Sequence, residues 1–236
     1  MKFNFLNKIY LAIAFLLLGL ITNKLWHYKP WDRYFYSSSI CAAYSNPIIV
    51  IDATFDVDYE PSSFILSNED DYPRIYYSNV NDFGSNWGQS VFDAEEDNKS
   101  KMWRLPNKLS IEYASIRERK FYAGIVNLPR EEIRKIFRSK NRDIPLSFLI
   151  GIANNGNVII WLRGDDFQTT LLKTKFEAER IISGDSITWQ EQNFSKMNCF
   201  DSIANQMDDS LKLEIAHGFE KNANYIDSPT HYMDYR

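Results

Sequence analysis

The stretch LSFLIGIANNGNVIIWLRG, Leu146 to Gly164, decides how this chain folds. Its two flanks are short apolar runs rich in Ile, Leu and Val, bounded by turn residues, as buried strands are. Between them stands Asn154-Asn155-Gly156, and Asn-Gly is a strong hairpin signal because both residues tolerate positive φ. Gly151, Gly156 and Gly164 have neither the spacing of a dinucleotide loop nor that of a phosphate loop. A strand, not a helix N-terminus, follows the turn, so the backbone amides that would hold a phosphate are missing. The glycines therefore predict a hairpin between two core strands, with Trp161 buried.

Reading outward gives partners for that hairpin. LSIEYASI (Leu109–Ile116) and KFYAGIV (Lys120–Val126) are β-rich runs separated by the charged Arg117-Glu118-Arg119, a second hairpin. NLPREEIRKIFRSK follows as an amphipathic helix. Pro129 suits its first turn, Glu131 and Glu132 sit at the positive end of its dipole, and Ile133, Ile136 and Phe137 form one apolar stripe. Upstream, PIIVIDATFDVDYE alternates: Ile49, Ile51, Ala53, Phe55, Val57 and Tyr59 face one way, and Asp52, Thr54, Asp56, Asp58 and Glu60 the other. Downstream, TTLLKTKFEAERI and SITWQ read as strands, with residues 176–182 also open to a helical reading, and Phe200, Ile203, Ala204, Met207 and Leu211 recur at helical spacing. The sum is an α+β fold: a mainly antiparallel sheet of hairpins, one amphipathic helix packed on it, and a C-terminal helix.

The chain of 236 residues is 44% hydrophobic and 15% aromatic, enough for one packed domain plus an appendage. That appendage is the leader, MKFNFLNKIYLAIAFLLLGLITNKLW, residues 1–26. Lys2 and Lys8 precede an uncharged run from Ile9 to Asn23, and Lys24 and Trp26 follow it. Its exit, Gly-Leu-Ile-Thr-Asn-Lys, lacks the small residues of a cleavage site. An uncleaved signal-anchor crossing the membrane is the favoured reading, with Lys24 snorkelling and Trp26 at the interface; a cleaved signal and a buried core helix are the alternatives. Lys2 and Lys8 then place the start of the chain in the cytoplasm of a bacterial inner membrane, and the rest in the periplasm. Residues 27–44 read as a tether and residues 45–236 as the single extracytoplasmic domain.

Without the three leader lysines, 24 basic and 31 acidic residues remain. Between Asp52 and Asp97 there are 12 acids and one base, whereas Lys99 to Arg142 holds 13 bases and 4 acids. Such asymmetry describes either two binding faces or two complementary parts of one sheet. Overall acidity in an exported chain counts against nucleic acid as a partner.

Several blocks in order, Asn86-Trp87-Gly88, Leu105-Pro106, KFYAGIVNLPREEIRKIF, LIGIANNGNVIIWLRG, FEAERI and a final YMDYR, resemble the bacterial domain-of-unknown-function family 2931. The resemblance implies a small envelope protein, since many such members look like lipoproteins. Here Thr22, Asn23 and Lys24 stand where a lipoprotein carries its acylated cysteine, which makes the peptide itself the anchor. The family brings no catalytic residues.

Chemistry is thinly signalled. His27, His217 and His231 are the only histidines, and neither a Gly-x-Ser-x-Gly elbow nor a His-Glu-x-x-His helix is present. Catalytic residues, a metal site and a cofactor are not expected. Cys41 and Cys199 permit one disulfide, and two buried thiols are the alternative. Acidic residues Asp52, Asp56, Asp58 and Glu60 form the best candidate surface; Asp56, Asp58 and Glu60 stand about 7 Å apart along one face. It is open to three readings: docking a basic protein, a calcium ion given further oxygens, or a solvated face. Trp87, flanked by Gly84 and Gly88, is the candidate contact residue in a loop. The functional expectation is a non-enzymatic, tethered protein-binding domain, in one version immunity-like toward a toxin delivered to the periplasm. Its alternatives are an envelope enzyme or small-ligand binder, and a structural envelope component.

Overall fold

The computed structural model describes residues 4–42, 48–57, 63–64, 102–140, 146–164, 167–189, 192–207 and 209–217. Asp58, Glu60 and Trp87 lie outside the described residues, as does the C-terminal YMDYR. The chain divides into two compact units, Met1–Arg33 and Tyr34–Arg236.

In the first unit, helix α1 (Phe5–Tyr28) begins at Asn4, whose side chain accepts a hydrogen bond from the Phe5 N–H. From Phe5 to Trp26 it is long and apolar enough to cross a membrane. It ends at Lys29, in the left-handed conformation, whose N–H donates to the Leu25 carbonyl; a 3-10 turn, Pro30–Asp32, follows.

Among the described residues the second unit holds β1 (Tyr36–Ala42), β2 (Ile48–Asp56), β3 (Lys108–Ser115), β4 (Lys120–Asn127), α2 (Arg130–Ser139), β5 (Leu146–Ile152), β6 (Asn157–Arg163), β7 (Gln168–Lys175), β8 (Ser186–Trp189), β9 (Gln192–Ser195), α3 (Cys199–Gln206) and α4 (Asp209–His217), besides two-residue strands and a 3-10 turn at Asn154–Gly156. Among the described residues, β7-β6-β5-β1 form one four-stranded sheet. A second sheet holds the short strand Ser63–Phe64 followed by β2, β3 and β4, and β8 and β9 pair as a hairpin. These pairings are antiparallel except β1 with β5, so the architecture is α+β with mostly antiparallel sheets.

The β5–β6 hairpin forms as its sequence predicts. Asn155 has φ 55° and Gly156 φ 77°, the Ala153 N–H donates to the Asn157 carbonyl, and Ile152 faces Val158. Gly156 is demanded twice over, since a Cβ there would lie 2.1 Å from the Phe176 carbonyl oxygen and 2.9 Å from the Tyr122 ring. Gly151 is a packing glycine: a Cβ would meet the Trp161 ring at 2.5 Å. Trp161 is fully buried with Cys41, Leu149 and Ile159, on the face of the sheet opposite the main core. Glu118, in the β3–β4 turn, clasps the two hairpin tips. Its carboxylate accepts from the Asn155 N–H at 2.5 Å and the Tyr122 hydroxyl at 2.6 Å.

Both sheets contribute to the main core. Tyr36, Phe55 and Phe148 meet edge to face, at 5.2 to 6.4 Å between centroids, and Phe137 of α2 joins them at 6.4 Å from Phe148. α2 buries Ile133 and Phe137 there while Glu131 pairs with Arg134 on its outer side. Its entry is pinned, because the Leu128 N–H donates to the Asn107 carbonyl and Arg130 donates to the Asn107 side chain at 2.9 Å. The two Leu-Pro blocks, at Leu105 and Leu128, are thus neighbours in space.

Two expectations change, and two readings that the sequence left open are resolved. Residues 27–44 are not a tether throughout, because Tyr36–Ala42 is a buried strand parallel to β5. Its serines are small enough to lie half-buried or buried beside Phe148 and Leu149 in register, although Tyr-Ser-Ser-Ser reads as linker on its own. Cys41 and Cys199 are buried thiols not bonded to one another, one in each hydrophobic cluster. The strict alternation of the acidic strand is broken by an irregularity between Val50 and Asp52 that puts Ile49 on the Asp52 face, and Ile48, Ile49 and Val50 are all buried. Residues 176–182 are neither helix nor a continuation of the strand, which ends at Lys175; Ala178 alone bridges to Tyr122.

Candidate functional site

Among the described residues, the outward face of the second sheet divides into a covered half and an open half. Directly opposed residues on paired strands share a face, so the register gives its rows. Ile49, Ala114 and Phe121 form the first row, and α3 covers it, with Phe121 and Phe200 at 5.0 Å between ring centroids. Asp52, Glu112 and Ala123 form the second, Thr54, Ser110 and Ile125 the third, and Asp56, Lys108 and Asn127 the fourth. On the reverse face stand Ala53, Ile111, Phe55 and Leu109, all in the core. The open half therefore spans about 13 Å along the strands and about 10 Å across them.

Two features distinguish this surface. Ile125 is 71% exposed, a large apolar side chain amid polar neighbours. Asp52 faces Glu112 directly, a like-charged cross-strand pair that costs stability. Partial burial pushes the Asp52 carboxyl above its ordinary value, and the charge of Glu112 pushes the same way; a hydrogen bond from the Ala53 N–H offsets part of this.

Lys196, just after β9, supplies the compensating cation. Its Nζ donates to Glu112 at 2.7 Å and to Glu179 at 2.8 Å, and lies 5.0 Å from the centre of the Phe121 ring. Burial alone pulls its pKa down, but the hydrogen bonds and charges of the two glutamates outweigh burial and hold it above the usual lysine value. Next to it Arg119 pairs with Asp201 of α3 at 2.5 Å, which ties the β3–β4 turn to the covering helix.

Of the acidic residues singled out in the sequence, Asp52 and Asp56 are on this face, both exposed. Glu112, Lys196, Glu179 and Ile125 are additions that the sequence did not single out. Glu112 was reachable from the alternation of LSIEYASI, whereas Lys196 and Glu179 arrive from distant segments. Burial pushes the Cys199 thiol up to about 11 despite Arg119 and Lys196 nearby, so it stays protonated and unreactive at neutral pH. Tyr113 and Tyr122 are likewise pushed up, by burial first and then by neighbouring negative charge. Among the described residues there is no group of three His, Cys, Asp or Glu side chains placed to hold a metal ion. Chemically, the face can recognise positive charge and seat one apolar side chain.

No curated relative and no solved structure matches the chain. A family model described as a protein of unknown function, DUF2931, matches residues 50–219. That span begins inside β2, takes in Asp52 and Asp56 with the rest of the open face, and extends past α4. Covering well over half of the sequence, the match shows that the chain belongs to the DUF2931 family.

Proposed function

We propose that this protein is a non-enzymatic binding domain, tethered to the bacterial inner membrane by α1, that captures a basic protein partner in the periplasm on the open acidic face. The orientation rests on Lys2 and Lys8 ahead of the apolar run. One observation carries the reading: an unfavourable Asp52–Glu112 pair is kept beside an exposed Ile125 on a surface that α3 leaves open. A cationic side chain docked between the two carboxylates would relieve their repulsion, and Ile125 supplies an apolar anchor of the kind that dominates interface energetics. In its most concrete form the partner is a toxin delivered to the periplasm, and this chain confers immunity by binding it.

Asp52's raised pKa also suits the competing reading, an envelope enzyme or small-ligand binder with Asp52 as an acid. Its position in mid-strand, on a sheet face that no element walls in among the described residues, favours a macromolecular surface. The test is direct titration of the full-length protein, in mild detergent, with each purified product of the genes beside its own. Binding that weakens as salt rises from about 50 to about 500 mM supports the proposal, since charge-steered contacts are screened. Binding by none of those products, or binding indifferent to salt, overturns it.

A further inference from the structure

The end of α1 carries more than a membrane anchor needs. Trp26, Tyr28 and Trp31 are 67%, 49% and 52% exposed, three large aromatic side chains within six residues. Trp26 and Tyr28 leave the helix in different directions, being two residues apart at about 100° each. Trp31 lies beyond the helix, in the 3-10 turn. That turn is built firmly. Lys29 takes φ 47°, its N–H donates to the Leu25 carbonyl at 2.8 Å, and the Asp32 N–H donates back to the Lys29 carbonyl at 3.0 Å. Arg33 folds back over it, donating from Nε to the Tyr28 carbonyl at 3.0 Å with its guanidinium 3.8 Å from the centre of the Tyr28 ring. The left-handed Lys29 takes the chain off the helix axis, so Pro30–Asp32 does not prolong the span.

The dimensions fit one environment. From Phe5 to Trp26 the helix is 22 residues, about 33 Å, which matches the hydrocarbon thickness of about 30 Å. Three residues of 3-10 turn add at most about 6 Å beyond Tyr28, comparable with a headgroup layer of about 5 to 7 Å. Aromatic side chains with a polar edge favour that layer from every side of a helix, and exposed Lys24 can reach phosphates there.

We propose that Trp26 to Asp32 is a rigid interfacial collar in which Trp31, held by the Lys29 cap and the Arg33 brace, inserts into the phospholipid headgroup layer. The collar rests on the reading of α1 as a membrane span, and adds a second, non-helical contact with lipid. It turns a span that could slide or tilt into one fixed in depth.

The test uses the full chain in vesicles of phosphatidylethanolamine and phosphatidylglycerol, with one spin label each at Leu16→Cys, Trp31→Cys and the exposed Ile182→Cys. Cys41 and Cys199 are buried and stay unlabelled. Collision rates with oxygen and with a water-soluble nickel chelate give the depth of each label. The collar requires the label at 31 to be several-fold less accessible to nickel than that at 182, and more accessible than that at 16. Equal nickel access at 31 and 182, with 16 protected, overturns the collar and leaves the anchor intact. Nickel access at 16 overturns both. In the unlabelled chain, Trp31→Phe must remove a component of the native emission that lipids brominated near the headgroup quench; no change in that quenching also overturns the proposal.

Discussion

Replacing Gly156 by alanine tests the hairpin and its close packing together. The new Cβ meets the Phe176 carbonyl oxygen at 2.1 Å, a backbone atom that cannot rotate away, and the residue keeps a φ of 77° that an L side chain resists. Positive φ costs about 1 to 2 kcal/mol, and forcing extra atoms into a packed site costs about 1 to 3 kcal/mol more. A total of about 3 kcal/mol is expected. Gly184 gives an internal control: its φ is 106°, yet a Cβ there meets nothing within 4 Å, so Gly184→Ala carries only the conformational part. The assay is urea denaturation of the full-length protein in mild detergent, followed by tryptophan fluorescence. With a slope of about 2 kcal/mol per molar, Gly156→Ala should lower the midpoint by about 1.5 M and Gly184→Ala by about half of that or less. Equal shifts for the two variants would refute the close approach between the Asn-Gly turn and the chain at Phe176.

Further expectations follow from the same contacts. Phe137→Ala should destabilise by about 3 to 5 kcal/mol in the same denaturation assay, because the ring is fully buried against Tyr34, Tyr36 and Phe148. Glu118→Ala should cost about 2 kcal/mol, since it deletes two hydrogen bonds to a carboxylate, whereas Tyr122→Phe removes only one of them and should cost less. For Asp52 the folded-state pKa lies above the unfolded one, so its contribution to stability is fully present below the ordinary value of 3.8 and is lost as pH rises through the folded value. Asp52→Asn should therefore leave the midpoint nearly unchanged at pH 3 and raise it at pH 7; a lowered midpoint at pH 7 would contradict the strained Asp52–Glu112 pair.

The local signals in the sequence were strong where pairing is local. Asn155-Gly156, the Arg117–Arg119 turn and Pro129 each specify a neighbouring element, and each stands in the structure where its chemistry puts it. The parallel partner of Leu146–Ile152 was not legible, because Tyr36–Ala42 lies more than 100 residues upstream and its three serines suit a linker as well as a strand. The irregularity at Val50–Asp52 escaped for a related reason: alternation in a single strand is silent about a helix, α3, that later covers half of its outer face. The acid at Asp52 was visible and its circumstances were not. A repulsion from Glu112, and the bridging of Glu112 and Glu179 by Lys196, are products of register and of long-range docking.

If the open face of β2, β3 and β4 is the recognition surface, reversing its charge must weaken binding of the partner. Asp52→Lys with Asp56→Lys replaces two exposed carboxylates on a face whose fold is held from the other side, by Ala53, Phe55, Leu109 and Ile111. Titrated with the neighbouring gene product that binds the native chain, the doubly reversed protein should lose at least about tenfold in affinity, since like charges then face a basic partner. Its urea midpoint should change little, because relief of the Asp52–Glu112 repulsion offsets the loss of the Asp56–Lys108 pairing. Undiminished affinity in a protein of native stability would contradict the claim and move the recognition surface elsewhere on the domain.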